Sequence, residues 1–129
     1  MAQGQEQWLK IDNPILITNN KLAKERLAHK FNVKHFDITY LQVLTTVRDY
    51  IHKGHKLLTH PLSGSVKPKE TPYKSIVISG AVGELDVNSL IIIEESIATY
   101  NKFAYRPIPD SALGDFMEID CSLIESMSH

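Results

Sequence analysis

Apolar residues fall along this chain in two rhythms, short continuous runs and longer stretches spaced by three and four, and the alternation predicts strands separated by helices. The run Pro14-Ile15-Leu16-Ile17-Thr18, closed by Asn19-Asn20, has the continuous apolar character of a strand covered on both faces. Leu22, Ala23, Leu27 and Ala28 then form a stripe that predicts a helix over residues 21–30, with Asn19 or Asn20 suited to cap its first amides. Residues 33–36 make a weaker second strand. Thr39 followed three positions later by Gln42 has the form of a capping box, in which each side chain satisfies a backbone donor of the other. It opens a second helix reaching about Lys53, whose inward face is Tyr40, Leu44, Val47 and Ile51 and whose stop is Gly54.

Residues 56–59 predict a third strand and residues 75–79 a fourth. Between them run fourteen residues, His60 to Tyr73, without periodicity. That is far beyond the usual two to six of a connection in a compact domain, and such loops are commonly functional. Gly80 to Gly83 turn the chain, Asp86 caps, and Leu90, Ile91, Ile93 and Ile97 give a third helix, ending near Phe103, an apolar face wide enough for deep burial or a partner. The order β-α-β-α-β-β-α predicts an α/β three-layer sandwich with a short, mostly parallel four-stranded sheet in the order 2-1-3-4, half of a Rossmann-like or flavodoxin-like fold. Winding then reverses between strands one and three, and a ligand crevice is expected beyond the carboxyl ends of the strands there. Fourteen residues also permit an antiparallel fourth strand, which would carry Gly80 and Gly83 to the opposite edge.

Composition adds limits. A chain of 129 residues that is 43% hydrophobic is long enough for one self-sufficient core. The expected organisation is a polar, flexible leader over residues 1–13, an α/β domain over 14–104 and an acidic extension over 105–129 with one or two short helices. Trp8 sits in the leader as an isolated aromatic. A formal charge of -1 gives no global reason to expect nucleic acid or an acidic membrane as partner. No apolar run approaches the ~20 residues needed to span a bilayer, and no basic leader or signal core is present, so the expected location is the cytoplasm. Cys121, the single cysteine, lies among acidic residues and is expected to be structural. The extension carries Leu113, Phe116, Met117, Leu123 and Ile124. Folding back on the sheet is the simplest use of them, and a homodimer through this segment or through the third helix is the alternative.

The candidate chemistry gathers in the long loop. Ser63, Gly64, Ser65 and Lys67 offer hydroxyls, close backbone approach and a cation to an anion, without a phosphate-loop signature. Asn19, Asn20 and His60 join them at the strand ends in the expected topology. The plainer alternative is a serine-glycine turn held by Pro61, Pro68 and Pro72. His60 is a candidate acid or base, although a histidine that pins the loop through a backbone hydrogen bond is the simpler reading. His55 and His60 bracket a strand and stand roughly 16 Å apart, too far to share a metal, and His52 with Lys53 suits the negative end of the second helix. Gly80 and Gly83 make half of a dinucleotide fingerprint at most. No metal or cofactor is expected.

The run from Val47 through His60-Pro61-Leu62-Ser63-Gly64-Ser65-Val66-Lys67-Pro68 to Ile76 resembles the GrdX family, as do Thr18-Asn19-Asn20 and Gly83-Glu84-Leu85-Asp86. The resemblance covers residues 15–103, and the leader and residues 105–129 depart from the short family pattern. It implies a small cytoplasmic protein encoded beside glycine reductase genes in amino-acid-fermenting bacteria, and it supplies no catalytic residues. Three classes follow: an accessory or regulatory protein of glycine reductase metabolism that binds a small anionic molecule and partners reductase components, a small enzyme acting on a phosphorylated or carboxylated metabolite, and a protein-interaction module.

Overall fold

The computed structural model describes residues 13–64 and 67–127. Strand β1 (Ile15–Thr18) leads to helix α1 (Lys21–Leu27), strand β2 (Asn32–His35) and helix α2 (Tyr40–His52). After the long loop come strand β3 (Ser75–Ile78), helix α3 (Val87–Lys102), a single 3-10 turn (Asp110–Ala112) and helix α4 (Leu113–Met127). Helix starts follow their side-chain caps. Asn20 accepts from the Leu22 amide, Thr39 and Gln42 close the expected capping box, and Asp86 accepts from the Ser89 amide. Helix α1 stops at Leu27, three residues short of the expected end, because residues 28–30 turn the chain to deliver buried Phe31 to the core.

Three strands form the sheet, in the order β2-β1-β3. Strand β1 pairs parallel with β2 and antiparallel with β3, in the register Ile15 to Ile78 and Thr18 to Ser75. The expected four-stranded, mostly parallel sheet in the order 2-1-3-4 is therefore incorrect. Residues 56–59 do not insert beside β1. They lie along the outer edge of β3 with a single bridge between Leu57 and Ile78. The Thr59 hydroxyl accepts from the Val77 amide at 3.0 Å where a ladder carbonyl would otherwise stand, so the pairing ends as it begins. The fully buried Ile76, Val77 and Ile78 take the central contact with β1 instead.

Strand alternation sorts the core into two sides. Ile15, Ile17, Ile76 and Ile78 pack with Tyr40, Val43, Leu44, Val47 and Ile51 of α2 and Ile93 of α3. Leu16 and Val77 point the other way, onto Ala23 and Leu27 of α1 and Cys121 and Ile124 of α4. Helices thus cover both faces. The C-terminal extension supplies one of them, and Arg26 of α1 clamps it through Glu118 and Glu125. Helix α3 is buried less broadly than its sequence suggests, since Ile91 is 50% exposed.

The antiparallel return brings Gly83 against Gly54 at the far end of the sheet. Gly54 has φ +108°, and a Cβ there would stand 2.3 Å from the Gly83 carbonyl oxygen. Both the left-handed backbone and the backbone contact oppose any side chain. Gly54→Ala is expected to destabilise the fold by about 2 kcal/mol or more, measured by urea unfolding. A loss below about 0.5 kcal/mol would show that the 80–83 turn simply moves aside.

Candidate functional site

Because β1 and β3 run antiparallel, the carboxyl end of β1 lies beside the amino end of β3, and polar residues collect at that edge. Thr18 and Ser75 are register partners, and their hydroxyls are 2.7 Å apart. The Ser75 hydroxyl donates to Asp120 Oδ2 at 2.6 Å, which leaves the Thr18 hydroxyl to donate to Ser75, while Thr18 Oγ1 accepts from the Asn20 amide at 2.9 Å. Asn20 Nδ2 also donates to Asp120 Oδ2 at 3.0 Å. Every link runs toward one carboxylate oxygen, the arrangement that suits an ionised acid. Burial pushes the Asp120 pKa above the usual carboxylate range, against the pull of Ser75, Asn20 and Lys74.

Lys74, one residue before β3, is the second buried charge, at 4% exposure. Its ammonium donates to the Ser63 carbonyl at 2.9 Å. Loss of hydration lowers its pKa from 10.5 to about 8, with Asp120 opposing the fall. Lys74 and Asp120 both line a cavity of about 260 Å³, together with Tyr40 at the head of α2, Ser63 and Gly64 of the long loop, and Phe116, Ile119 and Leu123 of α4. The Tyr40 phenol is held neutral by burial and stacks on Tyr100 at 4.9 Å. The lining thus combines apolar side chains with hydroxyls, a cation and an anion. This is the usual composition of a small-molecule site.

The family model for GrdX-like proteins matches residues 15–129. The chain belongs to the GrdX-like protein family. Neither a curated protein nor a solved structure matches it. The match runs through the C-terminal extension, so the limit set at residue 103 from the sequence is corrected. Helix α4, with Asp120, belongs to the same family unit as the sheet.

In this GrdX-like protein the residues singled out in the sequence are dispersed. Ser63 and Gly64 line the cavity. Asn19 is spent on structure: its amide donates to the carbonyls of Ile38 and Pro72, and its oxygen accepts from the Lys74 amide at 2.9 Å. Asn20 caps α1 and donates to Met117 and Asp120. The exposed His60 accepts the Leu62 amide on Nδ1 at 3.1 Å, the geometry of a loop pin. Lys67 is exposed, with its amide donating to Glu70 at 3.3 Å, and Ser65 lies outside the described residues, as do Trp8 and the leader up to residue 12. His55 is buried against the Ser79 carbonyl at 2.7 Å. The Cys121 thiol, buried in the core, is pushed up to about 11.

Sequence reasoning missed Lys74, Asp120 and Tyr40. Lys74 reads as a solvated residue flanking a strand. Asp120 carried a usable signal, because it interrupts the stripe Met117, Cys121 and Ile124 on the inward face of a helix, where an unpaired acid is costly. No helix among the described residues is long and apolar enough to cross a membrane.

Proposed function

We propose that this GrdX-like protein is a cytoplasmic accessory or regulatory protein of glycine reductase metabolism that binds a small ligand through an anionic group received by Lys74. The reading is supported above all by the Lys74 ammonium, which is buried at the wall of the cavity and engages one carbonyl with three donors available. A buried cation with spare donors favours an anion in that space. Thermal-shift measurements with acetate, longer carboxylates, inorganic phosphate and acetyl phosphate test it. A specific ligand at a hundredfold excess over its dissociation constant adds about 2.7 kcal/mol of apparent stability. The shift is expected for the wild-type chain and not for Lys74→Met. Unchanged glycine reductase output after deletion of the gene would count against the metabolic assignment.

An interaction module is the second reading, favoured by one surface. Val82, Leu85, Val87 and Ile91 are exposed by 45% to 62% around the start of α3. Dimerisation through that surface predicts twice the chain mass by light scattering at micromolar concentration. A monomeric mass removes it.

A further inference from the structure

The two buried charges of the cavity are of opposite sign, yet no ion pair joins Lys74 and Asp120 within 4.0 Å. Buried charges are ordinarily paired directly, because the low-dielectric interior penalises a lone ion. Here both line the same cavity. Asp120 Oδ2 already accepts from the Ser75 hydroxyl and Asn20 Nδ2, and the Ser75 backbone amide adds a hydrogen bond to the carboxylate. A carboxylate offers about four lone-pair sites, so it can still receive a further donor. An accepting carboxylate and an ammonium with free donors therefore line one small volume. Phe116, Ile119 and Leu123 of α4 add an apolar patch to a lining that also carries the hydroxyls of Thr71, Tyr73, Ser122 and Ser126.

The geometry points to an aliphatic α-amino acid as the ligand, its carboxylate on Lys74, its ammonium on the Asp120 carboxylate and its side chain against the apolar residues of α4. This inference rests on the reading of Lys74 as the anion receptor and adds to it a second, cationic end. A zwitterion supplies each buried charge with a counter-ion at once, which neither a simple carboxylate nor phosphate does. A single-ended anion would leave Asp120 without a cation and place a second negative group near it.

Titration calorimetry on the full chain with three related probes tests the assignment: L-valine, isovalerate (the same molecule without its amine) and isobutylamine (the same molecule without its carboxylate). L-valine is expected to bind at least tenfold more tightly than either. Asp120→Asn should erase the preference of L-valine over isovalerate, while Lys74→Met should erase binding of both. If Asp120→Asn fails to fold, as circular dichroism would show, the three probes on the wild-type chain decide alone. Isovalerate binding as tightly as L-valine overturns the amino-acid assignment and leaves the anion reading standing. Equal binding of isobutylamine and L-valine, or no binding by any probe, overturns both.

Discussion

Lys74→Met is expected to make the protein more stable at neutral pH while removing its ligand binding. The ammonium is nearly inaccessible to water, and burial lowers its pKa from 10.5 to about 8. A displacement of that size corresponds to about 3 kcal/mol held against folding when the lysine is charged. Methionine fills similar space without the charge. The variant forfeits the bond to the Ser63 carbonyl and the attraction of Asp120, so a net gain of about 1–3 kcal/mol is expected, visible as several degrees in melting temperature. A lysine placed only for structure would not be kept at such a cost, whereas stability lost at a functional position is common. A lower melting temperature for the variant would show that the ammonium stabilises the fold.

The pH dependence follows with a definite sign. Below about pH 8 the lysine is charged in both states and the folded chain carries the full cost. Between about 8 and 10.5 the folded chain releases its proton while the unfolded chain keeps it, so stability rises with pH relative to Lys74→Met. The gap in melting temperature between the two proteins should narrow across that window. Asp120 acts in the opposite sense, because its pKa is raised on folding: its contribution is fully present at acid pH and is lost as pH rises through its folded value. Parallel melting curves from pH 7 to 10 would remove the buried-ammonium account.

Helices α1, α2 and α3 were legible because each has a periodic face and a local cap. Tyr40, Leu44, Val47 and Ile51 repeat at helical spacing behind Thr39 and Gln42, and all four are buried. The sheet was less legible, since residues 56–59 and 75–78 both look like strands and nothing in a fourteen-residue link fixes the direction of the return. What separates them is packing: Ile76, Val77 and Ile78 are apolar on both faces, whereas Lys56 and Thr59 bound only two leucines. That difference also moved the site. The loop is unusually long, but its exposed residues His60 and Lys67 are not among those that line the cavity, as Ser63 and Gly64 do. Lys74 and Asp120 are brought together only by the antiparallel turn of β3 and the fold-back of α4. No local pattern encodes such a meeting.

Asp120→Ala is expected to cost about 3–5 kcal/mol, the largest loss from a single polar substitution in this fold. The Ser75 hydroxyl and the Asn20 amide both give their hydrogen to Oδ2, and the Thr18 hydroxyl depends on Ser75 in turn. Truncation leaves these buried donors without an acceptor and opens space between α4 and the edge of the sheet. It also strips Lys74 of the negative group that holds its pKa as high as about 8, so the ammonium becomes costlier still. Removing the lysine from the Asp120→Ala background should therefore restore more stability than removing it from the wild type. A double-mutant cycle followed by urea unfolding is expected to give a coupling of about 1–2 kcal/mol. Additivity within about 0.5 kcal/mol would mean that the two charges do not sense each other across the cavity, and with that the physical basis for a shared site would fall.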